Sequence, residues 1–223
     1  MVKPVEKVPV YLMPGMAASS LIFKNIKLPE DRFDCHYLEW IIPEKGESLQ
    51  EYASRMSQYI KHKDPVLIGV SFGGILVQEM AKIIPVRKLI VISSVKSTKE
   101  LPKRMLFARY TNAHKILPTG LANNIELLAK YAFGDVVTKR LDLYQQYLSV
   151  RDKYYLDWSI DKVVNWKQEK PLPDVVHIHG EKDAVFPRAY IDDCIEVPGG
   201  THVMIINRFK WFNENLPRLI LEE

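Results

Sequence analysis

The residues best suited to covalent chemistry lie in the run GVSFGG, where Gly69, Ser71 and Gly73 have the spacing GxSxG. A strand-like stretch, PVLIGV (65–70), precedes it and a helix-like one, GGILVQEMAKII, begins within it. The spacing alone recurs by chance, but at a strand-to-helix turn it meets the condition for a nucleophile elbow. Such a turn needs strained backbone at Ser71 to push the hydroxyl off the sheet end, and side chains two residues either way would clash with it. The following helix directs free amides and a positive dipole end toward charge developing near Ser71.

A serine hydroxyl needs a base to take its proton, and that base needs a carboxylate to fix its tautomer. His202, in PGGTHVM, follows the last strand-like run through a glycine turn, where it can reach across the sheet edge. Asp183, in VVHIHGEKDAVFP, lies beyond another strand end in a loop closed by Pro187. The resulting chain order is Ser, Asp, His. A solvated loop aspartate is the plainer reading of Asp183, and Glu181 is a rival on the same loop; Asp192 and Asp193 lead into the last strand. His36 and His177 fall inside strands, His62 in a polar KHKD turn and His114 in a helical stretch, while His179 is placed to shape the turn holding Asp183. A tetrahedral intermediate also needs two backbone amides, each worth about 2.7–4 kcal/mol of transition-state stabilisation. Phe72 supplies one, and Met16, after Gly15 in the loop following the first strand, supplies the other; the plainer reading is an ordinary strand-to-helix loop.

The elements that must position these groups are legible as short apolar runs at 8–13, 35–40, 65–70, 87–93, 175–179 and 194–197. Near-continuous apolarity is what strands covered on both faces require. Behind Ser48 as N-cap, Leu49, Tyr52, Ala53, Met56, Tyr59 and Ile60 share one helical face. Strands alternating with helices predict a parallel sheet with right-handed crossovers. From about Lys96 to Pro173 no strand-like run occurs. Apolar stripes at Leu121, Ile125 and Leu128 and at Val137, Leu141, Tyr144 and Leu148 predict a helical insertion instead. Tyr154, Tyr155, Trp158 and Trp166 crowd its end, either packing there or lining a pocket.

The 223 residues are 47% hydrophobic, as in an ordinary globular domain, and no stretch reaches the length of a spanning helix or a signal peptide. A soluble cytoplasmic protein is expected, with no membrane insertion. The net charge of +4 is spread among acids without a basic block, which argues against nucleic acid as partner. Cys35 and Cys194 stand apart from any metal-ligand or CxxC spacing and read as buried free thiols.

With GVSFGG, HGEKDAVFP and GGTHVM in this order, the chain resembles the alpha/beta-hydrolase superfamily, and PGMAASSLIF is similar to that family's oxyanion loop. The resemblance covers most of the chain. It implies a three-layer α/β sandwich with a mostly parallel sheet, a helical lid at about 96–173, no cofactor, and the roles given above for Ser71, Asp183, His202, Met16 and Phe72. Pro14 and Gly15 replace the usual HG of the oxyanion loop. Too little chain precedes the first strand for two extra N-terminal strands, so a reduced, single-domain sheet of about six strands is expected. The implied reaction is hydrolysis of a small ester or thioester through an acyl-enzyme. Carbon–carbon bond cleavage, a lyase reaction, and a non-catalytic ligand-binding or signalling protein of the same fold stay open.

Overall fold

The computed structural model describes residues 6–111 and 146–222. His114 and the stripe residues Leu121, Ile125, Leu128, Val137, Leu141 and Tyr144 lie outside them.

Six parallel strands form one sheet: β1 (Val8–Met13), β2 (Phe33–Tyr37), β3 (Val66–Val70), β4 (Lys88–Ile92), β5 (Val175–Gly180) and β6 (Ile195–Val197), in the order β2-β1-β3-β4-β5-β6. Central β3 is buried at every residue, as its unbroken apolar sequence requires, whereas edge strand β2 is buried only at Phe33. β2 starts and stops earlier than the apolar run at 35–40 implies. Asp34 and His36 are tolerated because an edge strand has one unpaired side. Trp40, at the end of that run, leaves the strand and turns into the core.

α1 (Leu49–Ser57) begins with a full capping box, in which Ser48 and Glu51 each satisfy the other's backbone amide. The helix ends at Ser57, so Tyr59 and Ile60 are not part of its buried face: Tyr59 is exposed and Ile60 half-buried. The chain departs there because the Lys61 amide donates to the Tyr11 hydroxyl at 3.0 Å, which carries the KHKD turn toward β1. α2 (Phe72–Ala81) is buried on nearly all sides, consistent with its apolar composition.

The described part of the insertion contains α3 (Lys103–Thr111) and α4 (Lys153–Asn165), and no strand beyond an isolated bridge between Ala18 and Leu148. Between β5 and β6 the crossover is only a 3-10 turn, Arg188–Tyr190, which is what the nineteen positions from Asp183 to His202 leave room for. After His202 come two helices that the strand-and-motif pattern does not announce, α5 (Met204–Asn207) and α6 (Phe209–Leu221), the latter burying Phe212, Leu216, Leu219 and Ile220. Cys35 and Cys194 are free thiols but half-buried rather than buried, since both lie at the exposed margins of the sheet.

Candidate active site

Ser71 directly follows β3 with φ 53° and ψ −120°, a conformation an L-residue holds only when its surroundings fix it. Those surroundings are specific. The Ser71 amide donates to the Ile92 carbonyl at 2.9 Å, and the Ser71 carbonyl accepts from the Ser94 hydroxyl at 2.7 Å and from the Gly74 amide at 2.9 Å. A Cβ at Gly69 would come within 2.3 Å of the Gly73 carbonyl oxygen, and one at Gly73 within 2.3 Å of the Pro14 carbonyl oxygen. Both glycines are therefore required by backbone, not by neighbouring side chains that could move.

His202 and Asp183 reach this hydroxyl from the ends of β6 and β5. His202 Nε2 lies 3.0 Å from Ser71 Oγ, and His202 Nδ1 lies 2.8 Å from Asp183 Oδ2. The other carboxylate oxygen of Asp183 accepts from the amides of Val185 and Phe186 at 2.8 and 2.9 Å. Burial alone would raise the Asp183 carboxyl. The charge and hydrogen bond of His202, with help from His179 and the Phe186 amide, outweigh it and hold the group below its ordinary range. An ionised Asp183 fixes the proton of His202 on Nδ1, leaving Nε2 as acceptor for the serine proton.

His179 is fully buried and its Nε2 donates to the Phe186 carbonyl at 2.8 Å, so it does shape the loop that carries Asp183. Burial pushes its pKa down more than Asp183 pulls it up, and it is neutral. With Nε2 protonated, its Nδ1 is left to accept from His177 Nε2 at 3.2 Å. His177 is likewise held well below its usual range, first by burial and then by His179. Glu181 accepts from the Gly199 amide at 2.7 Å, and it is Asp183 that bonds His202 Nδ1 as the carboxylate of the row.

The loop after β1 lies against this row. Gly15, Met16, Ser71, Phe72 and His202 border one pocket, and Phe72 is the first residue of α2, where a helix cannot satisfy its own amide. Three contacts hold the loop. Trp40 Nε1 donates to the Gly15 carbonyl at 2.8 Å, the buried Tyr155 hydroxyl accepts from the Ala17 amide at 3.2 Å, and the Val150 amide donates to the Ala17 carbonyl at 3.1 Å. Ala17 has φ 62°, so the loop is held in a conformation it would not choose. Trp40, Ser94 and Val150 lie in no motif and leave no mark of this role in the sequence. Tyr155 stood out only as one of four aromatics. Of the others, Trp158 and Trp166 use their indole N–H groups on the Glu47 carbonyl and the Glu79 carboxylate, and Tyr154 bonds the Glu44 carbonyl, all packing roles.

Apart from Ser71 and His202, the described lining of the pocket is apolar, including Met16, Ile22, Met105, Val163, Val185 and Ile206. Met105 and Val163 come from α3 and α4, so the insertion does contribute to the pocket wall.

A doubly covered parallel sheet with a strained serine at a central strand end, facing a histidine and a carboxylate from later strand ends, defines an α/β protein of the hydrolase type. The chain belongs to the alpha/beta hydrolase family, whose model matches residues 31–214. No curated protein matches the sequence. Among solved structures it is similar to a bromoperoxidase from Bacillus anthracis (TM-score 0.71, 17% identity, covering 97% of this chain and 93% of that one). It is also similar to the enol-lactonase from Burkholderia xenovorans (TM-score 0.71, 11% identity, 99% and 94% covered) and to a thermophilic esterase from Thermogutta terrifontis (TM-score 0.67, 14% identity, 95% and 90% covered). At these identities the likeness speaks for the fold.

Proposed function

We propose that this protein is a serine hydrolase that cleaves a carboxylic ester or thioester of a small, largely apolar substrate through an acyl-enzyme on Ser71. The observation that carries the reading is the unbroken row from Ser71 Oγ through His202 to Asp183, at 3.0 and 2.8 Å, opening onto an apolar pocket. Ser71 attacks the carbonyl carbon while His202 Nε2 takes its proton. The imidazolium so formed is stabilised by ionised Asp183, and the amides of Met16 and Phe72 receive the developing oxyanion. His202 then returns the proton to the leaving oxygen or sulfur, and water, deprotonated by the same histidine, releases the acid. No metal or cofactor is called for in this sequence. The described helices α3 and α4 serve as part of a lid over the pocket, and the apolar wall to which their Met105 and Val163 contribute favours an acyl group without charge. The free thiols Cys35 and Cys194 fit a reducing, cytoplasmic compartment.

The test is hydrolysis of p-nitrophenyl esters and acyl-CoA thioesters of increasing chain length by wild type and Ser71→Ala, with fluorophosphonate labelling of Ser71. Activity on short to medium chains that vanishes in the variant is expected. Undiminished turnover in Ser71→Ala, or no adduct on folded wild type, would sink the proposal.

A further inference from the structure

At the sheet edge, away from Ser71, three groups with metal-binding atoms converge. Asp34 and His36 stand two residues apart on edge strand β2 and therefore share a face, and His62 arrives from the turn between α1 and β3. The ligating atoms of all three lie within 4.8 Å of one another. Asp34 Oδ2 is 2.8 Å from His36 Nε2 and 3.8 Å from His62 Nε2. A tetrahedral ion with bonds of about 2.0–2.1 Å separates its ligands by about 3.3 Å, so these two distances bracket the value required. All three side chains are partly exposed, at 49, 33 and 42%, which leaves them free to make the small adjustment and open to an ion from solution.

The surroundings prepare the site in two ways. Tyr11, opposite His36 in the β1–β2 register, stacks on the His36 ring at 4.7 Å, and the His36 and His62 rings are also 4.7 Å apart. The Tyr11 hydroxyl lies 2.7 Å from His62 Nδ1 and already accepts from the Lys61 amide. It can accept the Nδ1 proton as well, and that tautomer turns the Nε2 lone pair of His62 toward Asp34 and His36, as orienting partners of metal-bound histidines do. Secondly, cations do not claim the carboxylate. Lys61 Nζ is turned onto the Gln58 carbonyl and Lys63 Nζ faces Asp64, and among the described residues Asp34 has ion pairs only with the two histidines.

We infer that Asp34, His36 and His62 form a binding site for a borderline divalent transition metal, of which Zn²⁺ is the representative, with Tyr11 orienting His62. Two imidazoles and one carboxylate are a donor set for zinc, copper or nickel rather than for magnesium or calcium, which take oxygen donors. The bound ion would tie edge strand β2 to the turn after α1. The site neither touches the Ser71 row nor depends on the hydrolase reading.

Titration of the untagged full-length protein with Zn²⁺ by isothermal calorimetry tests it. One ion per chain is expected for wild type, lost in His36→Gln/His62→Gln and weakened about tenfold or more in Asp34→Asn. A readout on wild type alone guards against a variant that fails to fold: in histidine-selective NMR, Zn²⁺ should move or broaden the His36 and His62 ring signals before any others. Absence of one-to-one binding in wild type, equal binding by the double variant, or Zn²⁺ perturbing His202 in place of His36 and His62 would each overturn the inference.

Discussion

The two histidine–carboxylate clusters of this molecule use the same residue types under opposite physical conditions. At the strand ends, His202 and Asp183 are buried to 4% exposure and every atom of the row has a fixed partner. At the sheet edge, Asp34, His36 and His62 are half in water and their spacings are unequal. Burial makes the first cluster stiff and electrostatically strong, because charges there interact through a weakly polarisable medium. Exposure makes the second adjustable and individually weak. Covalent chemistry on a carbonyl needs the former, since a misplaced hydroxyl forfeits its rate; capture of an ion needs only the latter.

The largest break in this contrast should come from the buried row itself. Ser71→Ala and His202→Ala should each lower kcat by about 10⁶, and the double variant should be no worse than either, because groups acting as one unit do not add. Steady-state kinetics on a p-nitrophenyl ester checks this; additive losses would mean that the two do not share a step. Next in size is Gly73→Ala. Its new Cβ would meet the carbonyl oxygens of Pro14 and Met13 at 2.3 and 2.7 Å, so the loop after β1 must move. A loss of about 1–3 kcal/mol in denaturant unfolding is expected, together with a fall in kcat. Gly46→Ala, where nothing lies within 4 Å but φ is +79°, should cost less and leave kcat alone.

Tyr155→Phe sharpens the comparison by touching the site only through the loop. It strips the Ala17 amide of its acceptor, at a cost of about 1–3 kcal/mol, and frees the segment that carries Met16. A fall in kcat of about tenfold with little change in KM is expected if that loop serves the transition state. The pH response tests the buried histidines beside the row. His177 and His179 have pKa values depressed below 6.5 in the folded chain, so below pH 6.5 the unfolded chain binds protons that the folded chain refuses. Stability is therefore full above pH 6.5 and falls as pH drops below it, by at most about 1.4 kcal/mol per pH unit for each group. The contribution of Asp183, depressed below 3.8, persists until far lower pH. Melting temperature measured from pH 7.5 to 5 should fall for wild type and fall less steeply for His177→Gln.

The same contrast explains what the sequence made legible. The Ser71 region is over-determined locally: two glycines with no space for a Cβ, an unbroken buried strand and a helix start all leave a mark within a dozen residues. Asp183 and His202 were readable because each follows a strand end through a glycine turn. What supports them was not. Trp40 bonds Gly15 and Tyr155 bonds Ala17 across the fold, and a single indole or phenol carries no spacing to recognise. The edge cluster was missed for a related reason: His36 lies in an apparent strand and His62 in an apparent loop, and only the β1–β2 register and the turn after α1 bring them together. Strand ends on β2 were displaced because an edge strand's sequence is only half constrained by burial.

The smallest expected effect is the most discriminating for the comparison. In metal-free buffer His36→Gln/His62→Gln should change unfolding stability by no more than about 0.5 kcal/mol, since exposed histidine–carboxylate contacts add little. Its kcat should equal that of wild type, because the turn carrying His62 leads into β3 at the end opposite Ser71. β3 joins the two clusters directly, and Gly69 and Ser71 at its far end are held by the Gly73 and Ile92 backbones rather than by anything at the edge. A marked loss of activity in the metal-free double variant would therefore show that β3 transmits strain from the edge to the elbow. The stiffness of the buried row would then be borrowed from the edge rather than supplied by its own contacts.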